Sequence, residues 1–153
     1  MLALLAIPLA IPATEQSPYA GEELRDIKSL SAREIESLQR GDGMGFAKLA
    51  ELNRYPGPKH VLGVAEELEL SATQLEHTKA LFEDMREQAI VLGQELVAAE
   101  ANLDMRFRDK TIDQESLEAA LLAIGEIRAR LRYVHLQAHL RQRALLLPTQ
   151  IER

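Results

Sequence analysis

Two histidines four residues apart, His135 and His139, are the clearest chemical lead in the chain. On a helix this spacing projects both imidazoles from one side. Two neutral ring nitrogens so placed can clamp Zn²⁺, Ni²⁺, Co²⁺ or Cu²⁺. His60, beside the turn-forming Tyr55-Pro-Gly-Pro58, is a third candidate ligand, although a surface role suits that position equally. Without a metal, His135 and His139 read as solvated or stacked on the flank of their helix, with His135 opposite the cationic Arg86. His77 reads as a solvated side chain. Met85 falls on an apolar row and reads as core, whereas Met44 and Met105 are soft donors or gap fillers.

Other chemistries are excluded or unsupported. With no cysteine, the chain has no disulfide, no thiolate-bound zinc or iron–sulfur cluster and no thiol nucleophile. Gly41-Asp-Gly-Met-Gly45 lacks the spacing and the Lys of a phosphate-binding loop, and neither G-x-S-x-G nor H-E-x-x-H occurs. The expectation is therefore a protein that is not an enzyme. The net charge of −6 argues against a generally basic nucleic-acid binder. The basic stretch Arg128, Arg130, Arg132, Arg141 and Arg143 has no interleaved run of aromatics, and it reads as a face paired with acids.

The elements that must carry these residues are helices. The chain has 153 residues, 46% of them hydrophobic, 27% charged and only 4% aromatic, a helix-former's composition sized for one domain. Ser31-Ala-Arg-Glu34 and Ser71-Ala-Thr-Gln74 are capping boxes. The first predicts a short helix ending at Gly41; others are expected at about 45–53 and 59–68. From 72 to about 108 a heptad runs unbroken by proline: Leu75, Phe82, Ala89, Leu96 and Leu103, with Thr78, Met85, Leu92 and Ala99 three residues on. After the polar segment 109–113 it resumes as Leu117, Ile124, Leu131, Ala138 and Leu145, with Ala120, Ile127 and Val134. Two seams of similar length joined by a short loop predict an all-α fold, a long antiparallel hairpin over 72–146. Folding back brings the arginines beside Glu76, Glu83, Asp84 and Glu87, and sets Glu95 level with Arg130. A second apolar strip, Tyr133, Leu136, Leu140 and Leu147, lies off the seam. The helices within 22–53, a second copy of the chain, or a client protein must cover it.

The N-terminal run Leu2–Ile11 is too short to span a bilayer, which takes about 20 residues, and long enough for the apolar region of a signal peptide. Residues 1–13 are read as that region, although no Lys or Arg precedes the run. Residues 14–153 then form one helical domain, exported to the periplasm, with no stable membrane insertion.

Leu70-Ser71-Ala72-Thr73-Gln74 opens the first arm, and a degenerate copy, Leu146-Leu-Pro-Thr-Gln150, follows the second, with Leu147 where Ser or Thr is expected. Over about 19–150 the sequence resembles the periplasmic Spy/CpxP family with its LTxxQ repeats, whose superfamily includes zinc-resistance-associated proteins and CnrX-type sensor domains. The stretch from Tyr55 to Gln74 is similar to the segment leading into the first motif in heavy-metal-resistance members. The resemblance implies an all-α periplasmic protein, often a cradle-shaped homodimer, acting as an ATP-independent chaperone or as a metal-responsive stress protein. It assigns Leu70, Ser71, Gln74 and Gln150 to the motif. His135 and His139 are similar to the late His pair of the metal sensors, which also draw ligands from N-terminal elements; Met44, Glu51 and His60 are the candidates here. The leading expectation is a chaperone or adaptor that binds partly unfolded proteins on the strip Tyr133, Leu136, Leu140 and Leu147. The alternative is a heavy-metal sensor or resistance protein using His135, His139 and His60.

Overall fold

The computed structural model describes residues 18–153; the expected signal-peptide region, 1–13, lies outside the described residues. The described chain is helical and contains no strand. A single 3₁₀ turn at Glu22–Leu24 precedes six α-helices: α1 Ala32–Arg40, α2 Lys48–Glu51, α3 Pro58–Gly63, α4 Ala72–Arg108, α5 Gln114–Leu145 and α6 Pro148–Glu152. Among the described residues no helix is long and apolar enough to cross a membrane.

Each long helix begins where local chemistry satisfies its first free N–H groups. The Ser71 hydroxyl accepts from the Gln74 amide while Gln74 reaches back to the Ser71 N–H, and Asp113 and Ser116 make the same reciprocal pair for α5. Ser31 and Glu34 do so for α1, which stops at Gly41 in the left-handed conformation (φ 69°). Helices α4 and α5 pack antiparallel along the two heptad seams, burying Met85, Ala89, Leu92, Leu96, Ile124, Leu131, Val134 and Ala138. At 37 residues α4 is about 55 Å long.

The seam is tight in its middle and looser at the tip. Leu96 and Ile124 are buried, but Leu103 and Leu117 are only partly so. Two helices alone cannot enclose a core, and among the described residues the segment before α1 reaches α4 only as far as Asp104. Further back α1 supplies a third layer. It crosses α4 at Gly93, where the Leu38 carbonyl group occupies the space that a Cβ would need. Beside it the carboxylate of Glu100, itself buried, accepts from Ser29 Oγ at 2.8 Å and from Arg128 at 2.7 Å. One interaction thus ties the chain start to both long helices. The basic face of α5 is acid-paired in part: Arg130 with Glu95 at 3.7 Å and Arg141 with Asp84 at 3.2 Å, while Arg143 instead stacks on Tyr55. Such exposed pairs give about 0.2–1 kcal/mol each and serve register more than stability.

The short helices are shorter than expected. The helix placed at about 45–53 is a single turn, α2. The one placed at about 59–68 ends at Gly63, because Val64 leaves the helical region (φ −123°, ψ 27°). The following turns direct Leu68 inward against Val61 and Leu146, forming a second small core at the open end of the hairpin.

Candidate functional site

His135 and His139 lie on α5 under the segment linking α1 to α3. Of the two expected alternatives, solvated or stacked imidazoles, burial overturns the solvated one: only 3% of His135 and 5% of His139 is exposed. Phe46 stacks on His135 with ring centroids 5.7 Å apart and planes 14° from parallel. Burial, and secondarily the proximity of His139, hold the His135 pKa below the ordinary 6.5, so this ring is neutral at neutral pH. Its Nε2 is buried and has no hydrogen-bond partner.

His139 is held differently. Its Nδ1 lies 2.7 Å from the Tyr55 carbonyl oxygen. A carbonyl only accepts, so Nδ1 carries a proton, and in the neutral ring Nε2 is the nitrogen that keeps a lone pair. That Nε2 lies 4.0 Å from Glu51 Oε1, and the same oxygen lies 4.0 Å from His60 Nδ1. The acceptor turn is itself braced: the Arg143 guanidinium sits 4.5 Å over the Tyr55 ring and donates to the Arg54 carbonyl.

These groups border one open cleft of about 480 Å³, lined by Met44, Glu51, His60, Arg86, His135 and His139 among others. His60, His135 and His139 thus border the same cleft, which Arg86 also lines. Met44 enters from the loop after α1, in the left-handed region (φ 43°) between Gly43 and Gly45. Among the described residues no three His, Cys, Asp or Glu groups stand close enough, as placed, to hold a metal ion. The two α5 histidines are fixed by packing, whereas the Glu51 and His60 side chains are 43% and 68% exposed and free to turn. Imidazole nitrogens with one carboxylate suit a borderline divalent ion such as Zn²⁺, Ni²⁺, Co²⁺ or Cu²⁺. A His whose second nitrogen donates to a backbone carbonyl has the outer-shell support usual for a ligand.

Sequence reasoning does not single out Phe46, Tyr55 and Gly57 as site residues. Their one signal is an aromatic heading a Pro-Gly-Pro turn in a chain with three Tyr and three Phe.

The motif residues form a separate construction. Gln74 Nε2 donates to the Leu145 carbonyl and to Gln150 Oε1, both at 2.9 Å, while Gln150 Nε2 donates to the Leu68 carbonyl at 3.0 Å. Gln150 Oε1 also accepts from the Leu147 N–H at 2.9 Å. Leu147 has no side-chain oxygen to return the bond, so the second motif is half a capping box. Leu70 packs against the Val61–Leu68–Leu146 cluster. The two motifs therefore clasp the open end of the hairpin.

Among the described residues nothing covers most of the off-seam strip. Tyr133, Leu140 and Leu147 are each about 60% exposed and Leu136 is half-buried. Helix α1 lies against α4 rather than over the strip. Cover by the 22–53 segment, one of the expected alternatives, is not what this chain uses. His77 is exposed, as expected.

Compared with known protein families, curated proteins and solved structures, the chain shows no significant match to any of them.

Proposed function

We propose that the protein binds a divalent transition-metal ion in the cleft between His60, Glu51, His139 and His135, as a metal-responsive protein of the periplasm. One observation carries this reading: His139 donates Nδ1–H to a backbone carbonyl and turns its bare Nε2 toward a carboxylate oxygen that also faces His60. The 4.0 Å separations exceed a hydrogen bond and are wider than the roughly 3.4 Å between donors of a tetrahedral ion with bonds of about 2.1 Å, so the side chains must close on an ion to bind it. Small rotations of the exposed Glu51 and His60 bring them onto an ion held by the buried pair. His135 Nε2, buried and with no hydrogen-bond partner, would be the fourth donor in the tautomer that carries its proton on Nδ1.

Calorimetric titration with Zn²⁺ and Ni²⁺ tests the reading. Replacing His135 and His139 together by Ala should abolish tight binding and leave helicity unchanged. Binding to the natural chain should weaken as pH falls through about 6.5, because imidazoles ligate only when neutral. No binding below millimolar metal at pH 7.5 would remove the metal reading.

The exposed strip favours a second role, docking of a protein: a partly unfolded client or another copy of the chain. Exposed apolar side chains clustered along one helix face are the kind of surface that binds another protein. The chaperone or adaptor reading rests on that strip, and suppression of aggregation of a denatured test protein measures it.

A further inference from the structure

We propose that the turn Tyr55–Pro58 is the positioning element of the cleft: the Tyr55 carbonyl fixes the proton on His139 Nδ1, and Gly57, having no side chain, leaves His139 Nε2 open. What this says of an ion rests on the metal-binding reading; what it says of the imidazole does not.

Backbone conformation does not explain the glycine. Gly57 has φ −84° and ψ 153°, extended backbone that any residue adopts. Pro58, the first residue of α3, favours that region in the residue before it. Space explains it instead. A Cβ at position 57 would lie 2.7 Å from both Cε1 and Nε2 of His139. The ring is held against that approach by its tether through Nδ1 to Tyr55, two residues before Gly57, and it is 95% buried. The tether is rigid in turn, since Arg143 stacks on Tyr55 and donates to the Arg54 carbonyl. One four-residue turn thus supplies the acceptor that selects the tautomer and the gap that leaves the other nitrogen bare. A methyl group at position 57 would set carbon against the lone pair that faces Glu51. Gly63, at the end of the same helix α3, has nothing within 4 Å of its missing Cβ and is the natural control.

The test uses the full chain with Gly57→Ala and Gly63→Ala, and needs two readouts. The first is the ¹⁵N signals of His139 without metal at pH 7.5. The second is Zn²⁺ affinity by calorimetry. The unaltered chain should show Nδ1 protonated and Nε2 bare. Gly57→Ala should move the His139 signals and weaken zinc binding by about 10- to 100-fold with helicity intact. Gly63→Ala should change neither. Arg143→Gln, which frees the Tyr55 turn without crowding the ring, should also shift the His139 signals and weaken zinc; it decides the matter if alanine at 57 unfolds the chain. A protonated Nε2 in the unaltered chain overturns the proposal, as do unchanged His139 signals in whichever of the two variants folds. If the unaltered chain binds no zinc, the metal reading falls, and the ¹⁵N signals still decide whether the turn sets the tautomer.

Discussion

His135 is neutral in the folded chain because charging it would place an unpaired cation under Phe46. Its folded pKa lies below the unfolded value of 6.5, so the unfolded chain takes up the extra proton as pH drops through that range. The stability tied to the neutral ring is therefore complete above about pH 6.5 and is lost as pH falls toward the depressed folded pKa. Urea unfolding across pH 8 to 5 should show this decline, and His135→Phe, which keeps a ring against Phe46, should flatten it. The carboxyls of Glu34 and Asp113 are held low by hydrogen bonds from Ser31 and Ser116, so their contributions persist until still more acid conditions and do not mimic the effect. A decline of equal size in His135→Phe would refute the assignment. At this scale the sequence shows which residues matter, through the His-x-x-x-His spacing, but not how they are held. Phe46, Tyr55 and Gly57 reach the imidazoles from a loop about 80–90 residues away, and no local pattern encodes that approach.

Elements are the most legible level, because their signals are local. The capping boxes at Ser31 and Ser71 and the heptads of both arms fix helix starts and faces within a few residues. The short helices are less legible. Their ends depend on what Leu68 and Val61 pack against, which is a tertiary matter. Contact between elements yields a paired prediction about two helical glycines. Alanine is worth about 1 kcal/mol more than glycine inside a helix. Gly125 in α5 meets nothing within 4 Å, so Gly125→Ala should stabilise by up to about 1 kcal/mol. Gly93 in α4 lies under the Leu38 carbonyl, which stands where the added Cβ would go, so Gly93→Ala must push α1 away. Overpacking of this kind costs about 1–3 kcal/mol, enough to reverse the helix gain. Denaturant midpoints of the two variants should move in opposite directions. A Gly93→Ala chain at least as stable as the original would mean that α1 does not cross α4 there.

For the whole molecule the question is what the hairpin presents to others. Among the described residues it shields the imidazoles of His135 and His139 and leaves the strip around Tyr133 and Leu140 in the open. Changing Leu136 and Leu140 together to Gln should leave the fold intact, since Leu140 is exposed and Leu136 only half-buried, while any self-association or client protection is lost. Cooperative unfolding lost in a chain that was monomeric throughout would instead make the strip ordinary core. The strip's apolar spacing is readable from the sequence, but its exposure is not, because that depends on where α1 comes to rest. The cleft carries the central claim, and its most direct test is the zinc-edge X-ray absorption spectrum of the chain loaded with one equivalent of Zn²⁺ at pH 7.5. The account expects nitrogen and oxygen donors at about 2.0–2.1 Å with the outer-shell scattering of at least two imidazoles, lost in the variant lacking His135 and His139. A spectrum of hydrated zinc, or one with imidazole scattering unchanged in that variant, would contradict it.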